Sequence, residues 1–279
     1  MGHALVLGGG GVAGIAWEIG LLAGLDEAGL PVRDADLVVG TSAGSAVAAQ
    51  LASGLPLAEL LARQVDPAKQ APEIPAVVDP EKIAAIFGFG QENQPDRDAL
   101  RQQIGRIALL TDTVSEAARR EVIAARVPVD AWPEQQELLI VAVDANTGDE
   151  RVFGRDSGVS LVDAVAASCA VPGIWPPVTI GDTRYVDGGV RSAENADLAT
   201  GEDVVLVLQA MELPGVTDLA EQVESLRAQG STVLVITPDE DVRAATGLNP
   251  LDPTVRTPVA LAAQRQGAAV AKEIAAFWR

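Results

Sequence analysis

The stretch MGHALVLGGGGVAGIAWEIG, residues 1–20, decides the fold. Ala4 to Leu7 form a short apolar run closed by glycine, the pattern of a strand buried on both faces of a parallel sheet. Gly8 to Gly11 follow. A helical repeat then begins, with Ile15, Ile19, Leu22 and Leu25 near one face of a helix expected from about Val12 to Ala28. Gly29 and Pro31 supply its stop. A second buried run, DLVV (36–39), leads into a small-residue helix from about Ser42 to Ser53, capped by Gly54. Strand, helix, strand, helix in succession implies an α/β fold: a mainly parallel central sheet with helices on both faces.

The remaining chain keeps this alternation. ELLIVAVD (137–144), ERVFG (150–154), TRYVDGG (183–189), DVVLVLQ (203–209) and TVLVIT (232–237) read as strands. Helices are expected near 161–168 and 217–229. Thr257-Pro258 opens a terminal helix anchored by Val270, Ile274 and Phe277. No stretch resembles a linker between domains, so residues 1–279 are read as one domain. The exception to the alternation is the block 65–126. It starts with VDPAKQAPEIPAVVDP (65–80), whose four prolines mark a loop. Asp79-Pro80 then starts a helix over 80–87, and helices continue to about Arg126, with Thr113 and Glu116 spaced as a capping box. The block reads either as crossover packing or as a cover over the site. Phe87 and Phe89 are correspondingly either core residues or acyl contacts.

Charge and composition exclude several functions. The chain carries 20 basic and 39 acidic side chains, a net charge of −19, and 48% hydrophobic residues. That balance opposes a nucleic-acid partner and does not favour electrostatic capture by an anionic membrane. With one cysteine, Cys169, and one histidine, His3, there is neither an internal disulfide nor a zinc cluster to build. No cofactor or metal is expected. Residues 1–32 contain no Lys or Arg, so a secretory n-region is missing. No run reaches the ~20 apolar residues of a membrane span. A cytoplasmic location is the expectation.

Two chemistries could use the glycine loop. Gly9-x-Gly11-x-x-Gly14 satisfies the dinucleotide fingerprint between a strand and a helix. That reading, a nucleotide-binding redox protein, wants an acidic residue at the end of the second strand. Asp34 and Asp36 precede the strand instead. Its carboxyl end carries Gly40-Thr41-Ser42-Ala43-Gly44, a G-x-S-x-G between strand and helix, which is the nucleophile elbow of acyl hydrolases. In that context the glycine loop's amides would hold an oxyanion. A serine nucleophile needs a base. His3 lies at the amino end of the first strand, whereas the site of a parallel sheet lies at the carboxyl ends. The base must then be a carboxylate or a lysine. Asp187, in the chain's one Asp-Gly step (YVDGGV), is the candidate, and the alternative for it is an ordinary turn residue.

GGGGVAG, GTSAG and DGG, in this order and spacing, resemble the patatin-like phospholipases, and AASCAVPGIWPPV before the Asp motif is similar too. The similarity runs from Leu5 to at least Asn195. It implies a three-layer α/β/α sandwich and a Ser-Asp dyad that hydrolyses acyl esters, usually of lipids. By motif match Ser42 is the nucleophile and Asp187 the base. Gly9, Gly10 and Gly11 form the oxyanion hole, and Gly14, Gly40, Gly44, Gly188 and Gly189 support the motifs. The partners implied are a lipid or small acyl-ester substrate and a transient membrane or micelle contact. The chain departs from the family at Ala13, where Arg or Lys is frequent, and at Trp17-Glu18, where a histidine is common. A catalytically silent binding protein of the same fold is the alternative function.

Overall fold

A computed structural model describes residues 1–76, 80–87, 96–212 and 217–278. Its strands are β1 (His3–Leu7), β2 (Leu37–Thr41), β3 (Glu137–Asp144), β4 (Glu150–Phe153), β5 (Val178–Ile180), β6 (Thr183–Asp187), β7 (Val204–Leu208) and β8 (Thr232–Ile236). Its helices are α1 (Gly11–Glu27), α2 (Ala43–Ala52), α3 (Leu57–Val65), α4 (Pro80–Phe87), α5 (Arg97–Leu110), α6 (Glu116–Arg126), α7 (Leu161–Ser168), α8 (Asp218–Ala228), α9 (Glu240–Thr246) and α10 (Arg256–Phe277). The strands join in one sheet of order β5-β6-β3-β2-β1-β7-β8, with β4 paired antiparallel to β3 outside that order. From β3 to β8 the pairs are parallel, and β6 turns antiparallel on β3.

The central strands are apolar on both faces because both faces are covered. In β1, Leu5 and Leu7 enter the larger core beneath α1, α2, α7 and α10, while Ala4 and Val6 enter a second core beneath α8 and a 3-10 turn over Ala196–Ala199. Leu206 and Leu208 against Val205 and Val207 in β7 repeat this alternation. The result is an α/β/α sandwich. Each of these leucines and valines, taken fully out of water, contributes about 1.5–3 kcal/mol.

Two expectations change in detail. Helix α1 is not amphipathic: every residue from Val12 to Leu25 is buried, because α10 lies over the face turned away from the sheet. The crossing is close. A Cβ on Gly24 would stand 2.2 Å from the Gln264 carbonyl oxygen of α10, so only a residue without one fits. The Trp17 indole N–H also donates to Gln266 Oε1 of α10 at 2.8 Å. The second correction concerns α6. Its cap is Ser115, whose hydroxyl accepts from the Ala118 amide at 3.2 Å, and not Thr113. Glu116 is therefore the first helical residue and cannot close a capping box. Its carboxylate reaches β5 instead, accepting from the Thr179 amide and hydroxyl. Helices α3 and α9 and strand β5, absent from the sequence reading, are all short.

Candidate active site

Ser42 is set by the register of two parallel strands. β1 and β2 pair with Leu7 opposite Gly40, so the chain leaves both at the same level and at their carboxyl ends. β7 flanks β1 on its other side, which makes this the crevice where strand order reverses. The glycine loop thereby runs beside the elbow, and the two are stitched by the Gly44 amide donating to the Gly8 carbonyl at 3.0 Å. Ser42 itself has φ +52° and ψ −114°, a strained conformation for a residue with a side chain. The turn is held by its surroundings. The Ser168 hydroxyl accepts from the Ser42 amide at 2.9 Å, and the Cys169 thiol donates to the Ser42 carbonyl at 3.1 Å. Gly44 shows why the elbow tolerates nothing larger: a Cβ there would lie 2.0 Å from the Leu7 carbonyl oxygen.

Asp187 reaches the same level through β3. Thr41 pairs with Val141, and the next residue of β3, Ala142, pairs with Asp187 at the end of β6. Gly188 and Gly189 then turn the chain back, and the Gly189 amide donates to Asp187 Oδ1 at 2.7 Å. The turn beyond is tied to the elbow by Asn195. Its amide group donates to the Thr41 hydroxyl at 2.9 Å and to the Ser192 carbonyl at 2.7 Å. Asp187 is 4% exposed, and burial pushes its carboxyl up to about 7. The Gly189 amide, the Ser42 hydroxyl and the more distant Arg119 guanidinium pull it partly back. Asp187 Oδ2 makes no hydrogen bond among the described residues. A carboxylate of this kind accepts a proton near neutral pH, where an ordinary one at ~3.9 is a poor base.

The loop glycines divide in their duties. The Gly9 amide is engaged, donating to the Ala193 carbonyl at 2.8 Å. The amides of Gly10 and Gly11, at the start of α1, have no acceptor among the described residues. Gly14 packs beneath them and donates to the Gly10 carbonyl at 2.8 Å. Gly40 is the penultimate residue of β2, at the start of the elbow. His3 is remote, packed at a tilt against Trp278 at the amino edge of the sheet with ring centroids 4.9 Å apart.

Several site residues had no sequence signal of their own. A cavity of about 20 Å³ beside Ser42 is walled by Trp175, Cys169, Glu73, Arg119 and Arg126. Glu73 comes from the proline-rich segment, and Arg119 and Arg126 from α6. Phe87 does not line this cavity; it packs in a third core with Ile104 and Val186. Phe89 lies outside the described residues. Behind the glycine loop are two further buried carboxyls, Glu18 and Glu194. Burial raises Glu194 to about 7 and raises Glu18 well above the usual range, the latter with a smaller contribution from Glu194. Among the described residues no group of His, Cys, Asp and Glu could hold a metal ion, and no helix is long and apolar enough to cross a membrane.

Comparison with solved structures finds VipD from Legionella pneumophila, at 14% identity and TM-score 0.47, with 98% of this chain covering 66% of that one. It also finds the type III effector ExoU, at 16% identity and TM-score 0.41, with 97% of this chain covering 53% of that one. ExoU of Pseudomonas aeruginosa in complex with SpcU matches at 16% identity and TM-score 0.37, with 98% and 52% covered. The chain thus spans about two thirds of VipD and about half of ExoU. No curated protein matches it. The sequence model described as Patatin-like phospholipase matches residues 5–200, a span that takes in the glycine loop, the elbow and the Asp-Gly turn. The chain belongs to the patatin-like phospholipase family.

Proposed function

We propose that this protein hydrolyses acyl esters of lipids, with Ser42 as nucleophile and Asp187 as the base that activates it. The single observation carrying this reading is a serine on a strained elbow facing a buried carboxyl whose pKa is raised to about 7. Asp187 takes the Ser42 proton as the hydroxyl attacks the ester carbonyl. The Gly9–Gly11 loop holds the resulting oxyanion through the amides of Gly10 and Gly11, while Gly9 stays bonded to Ala193 and fixes the loop. Each donor of this type is worth ~3–4 kcal/mol in the transition state. Protonated Asp187 returns its proton to the leaving alcohol, and water then cleaves the acyl-enzyme with Asp187 again as base. The substrate's lipid nature rests on the family and on the apolar side of the Ser42 cavity, Val171 and Trp175. From the block 65–126, Glu73, Arg119 and Arg126 wall the Ser42 cavity and act as the cover that keeps water from the dyad.

A fluorophosphonate probe tests the reading. Wild type should be labelled at Ser42 and hydrolyse short-chain esters; Ser42→Ala should lose labelling and at least 10³-fold in turnover while keeping its melting temperature. Turnover within tenfold of wild type in a folded Ser42→Ala protein would remove the serine from the mechanism.

A further inference from the structure

Resting on the acyl-hydrolase reading, we propose that Arg119 and Arg126 form a subsite for a phosphate group carried by the substrate next to its scissile ester, and that Glu73 occupies this subsite as an internal stand-in that narrows the pocket. The argument begins with charge. A chain of net charge −19 places two guanidiniums in the wall of the Ser42 cavity, with side chains only 6% and 8% exposed. The adjoining cavity shares Arg126 and adds Arg63 and Arg256. One carboxylate answers them there. Glu73, with a side chain 3% exposed, accepts from Arg119 Nη1 at 2.7 Å through Oε1 and from Arg126 Nη2 through Oε2. Burying guanidiniums costs solvation, so each requires an anionic partner in the wall.

The site is built for more than Glu73 uses. Arg119 stacks on Trp175, its guanidinium carbon 3.8 Å from the ring centroid, which fixes the plane of its donors. Its Nε is buried without a hydrogen-bond partner among the described residues. Two guanidiniums with a spare donor suit a tetrahedral phosphate, which offers more acceptor oxygens than a carboxylate.

Glu73 is also placed to leave. It lies in APEIPA (71–76), a segment outside helix and strand, between Pro72 and Pro75. The fold anchors that segment through Glu73's own ion pairs and through Arg256 Nη1, which donates to the Ala71 carbonyl at 3.0 Å. With Glu73 in place, the cavity beside Ser42 measures about 20 Å³, room for roughly one water molecule. Exchange of carboxylate for phosphate keeps both guanidiniums paired while it opens the pocket.

The test compares wild type, Glu73→Gln and the double variant Glu73→Gln/Arg126→Gln, the last keeping the buried charge balanced should a lone Arg126→Gln fail to fold. Three readouts are taken: kcat/KM on neutral p-nitrophenyl butyrate, kcat/KM on monomeric dihexanoyl phosphatidylglycerol, and binding of inorganic phosphate by calorimetry. In Glu73→Gln the ratio of phospholipid to neutral-ester kcat/KM should rise at least tenfold, and phosphate should bind at least tenfold tighter. In the double variant both gains should vanish. An unchanged ratio in Glu73→Gln overturns the proposal, even if free phosphate then binds, because the site would be an anion site that the substrate does not use. Phosphate binding equal in all three proteins overturns it as well. Loss of neutral-ester turnover and probe labelling in every protein would instead defeat the Ser-Asp reading, while phosphate binding would still report on the two arginines.

Discussion

Asp187 links activity and stability to pH with opposite signs. In the proposed mechanism the base works only when ionised, so kcat/KM on a neutral ester should fall on acidification through one group near pH 7. Its folded pKa exceeds the ordinary value, so between 3.8 and about 7 the native state holds a proton that the unfolded chain has lost. Its contribution to stability is therefore full at low pH and lost as pH rises through about 7. Asp187→Asn separates the two effects. It should reduce kcat/KM by at least 10²-fold and abolish the acid limb, yet unfold at higher urea than wild type at pH 8. An acid limb that survives in a variant keeping most of its rate would show that another group is the base. Asparagine preserves a turn well, so a purely local role for this residue would leave activity intact.

The helices of the block 65–126 depend on local chemistry that can be tested one residue at a time. Helix α6 carries Arg119 and Arg126, and its first turn is closed by Ser115. Ser115→Ala should cost about 1 kcal/mol, whereas Thr113→Ala, whose hydroxyl only donates to the Val114 carbonyl, should cost close to nothing. Urea unfolding of the two variants decides between the caps; equal losses would contradict the observed helix start. The misreading has a simple origin. Ser and Thr are both good caps, and which one acts depends on where the chain emerging from α5 meets β5, to which Glu116 is bonded. Helix α1 carries the same lesson. Its apolar residues suggested one buried face, but α10, more than two hundred residues away in sequence, buries the other.

Folding places Glu18, Asp187 and Glu194, three carboxyl groups of an already acidic chain, inside one protein, all with raised pKa values. By the sign just given, each favours the native state most at low pH, so stability should fall as pH rises from 5 to 8.5. The slope is about 1.4 kcal/mol per pH unit for each proton the native state holds in excess. General repulsion among the surface charges pushes in the same direction, so the buried groups are isolated by difference. Glu18→Gln keeps the side chain's size and removes its ionisation. The pH dependence of urea unfolding should be flatter in this variant than in wild type, with the variant gaining most at the alkaline end. Parallel curves would mean that Glu18 does not titrate on unfolding in this range.

The sequence by itself determined the order of the main strands and helices, the elbow at Ser42 and the glycine loop, because each is encoded by neighbours along the chain. Apolar runs make strands, and a nucleophile's sharp turn requires small residues at fixed offsets, such as Gly40 and Gly44. It also made Asp187 a candidate, through an Asp-Gly pair at the end of a strand. Only the tertiary structure decided what faces these groups. Asp187 is brought level with Ser42 by its pairing with Ala142 of β3, and its pKa is set by burial among residues far away in sequence. Ser168 and Cys169 hold the Ser42 backbone from the end of α7, and Asn195 ties the turn after Asp187 to Thr41. Glu73, Arg119 and Arg126 belong to a proline-rich loop and an ordinary charged helix when read along the chain. Their meeting in the wall of the Ser42 cavity depends on contacts spanning 46 and 53 residues, and no local pattern of residues specifies a contact of that range.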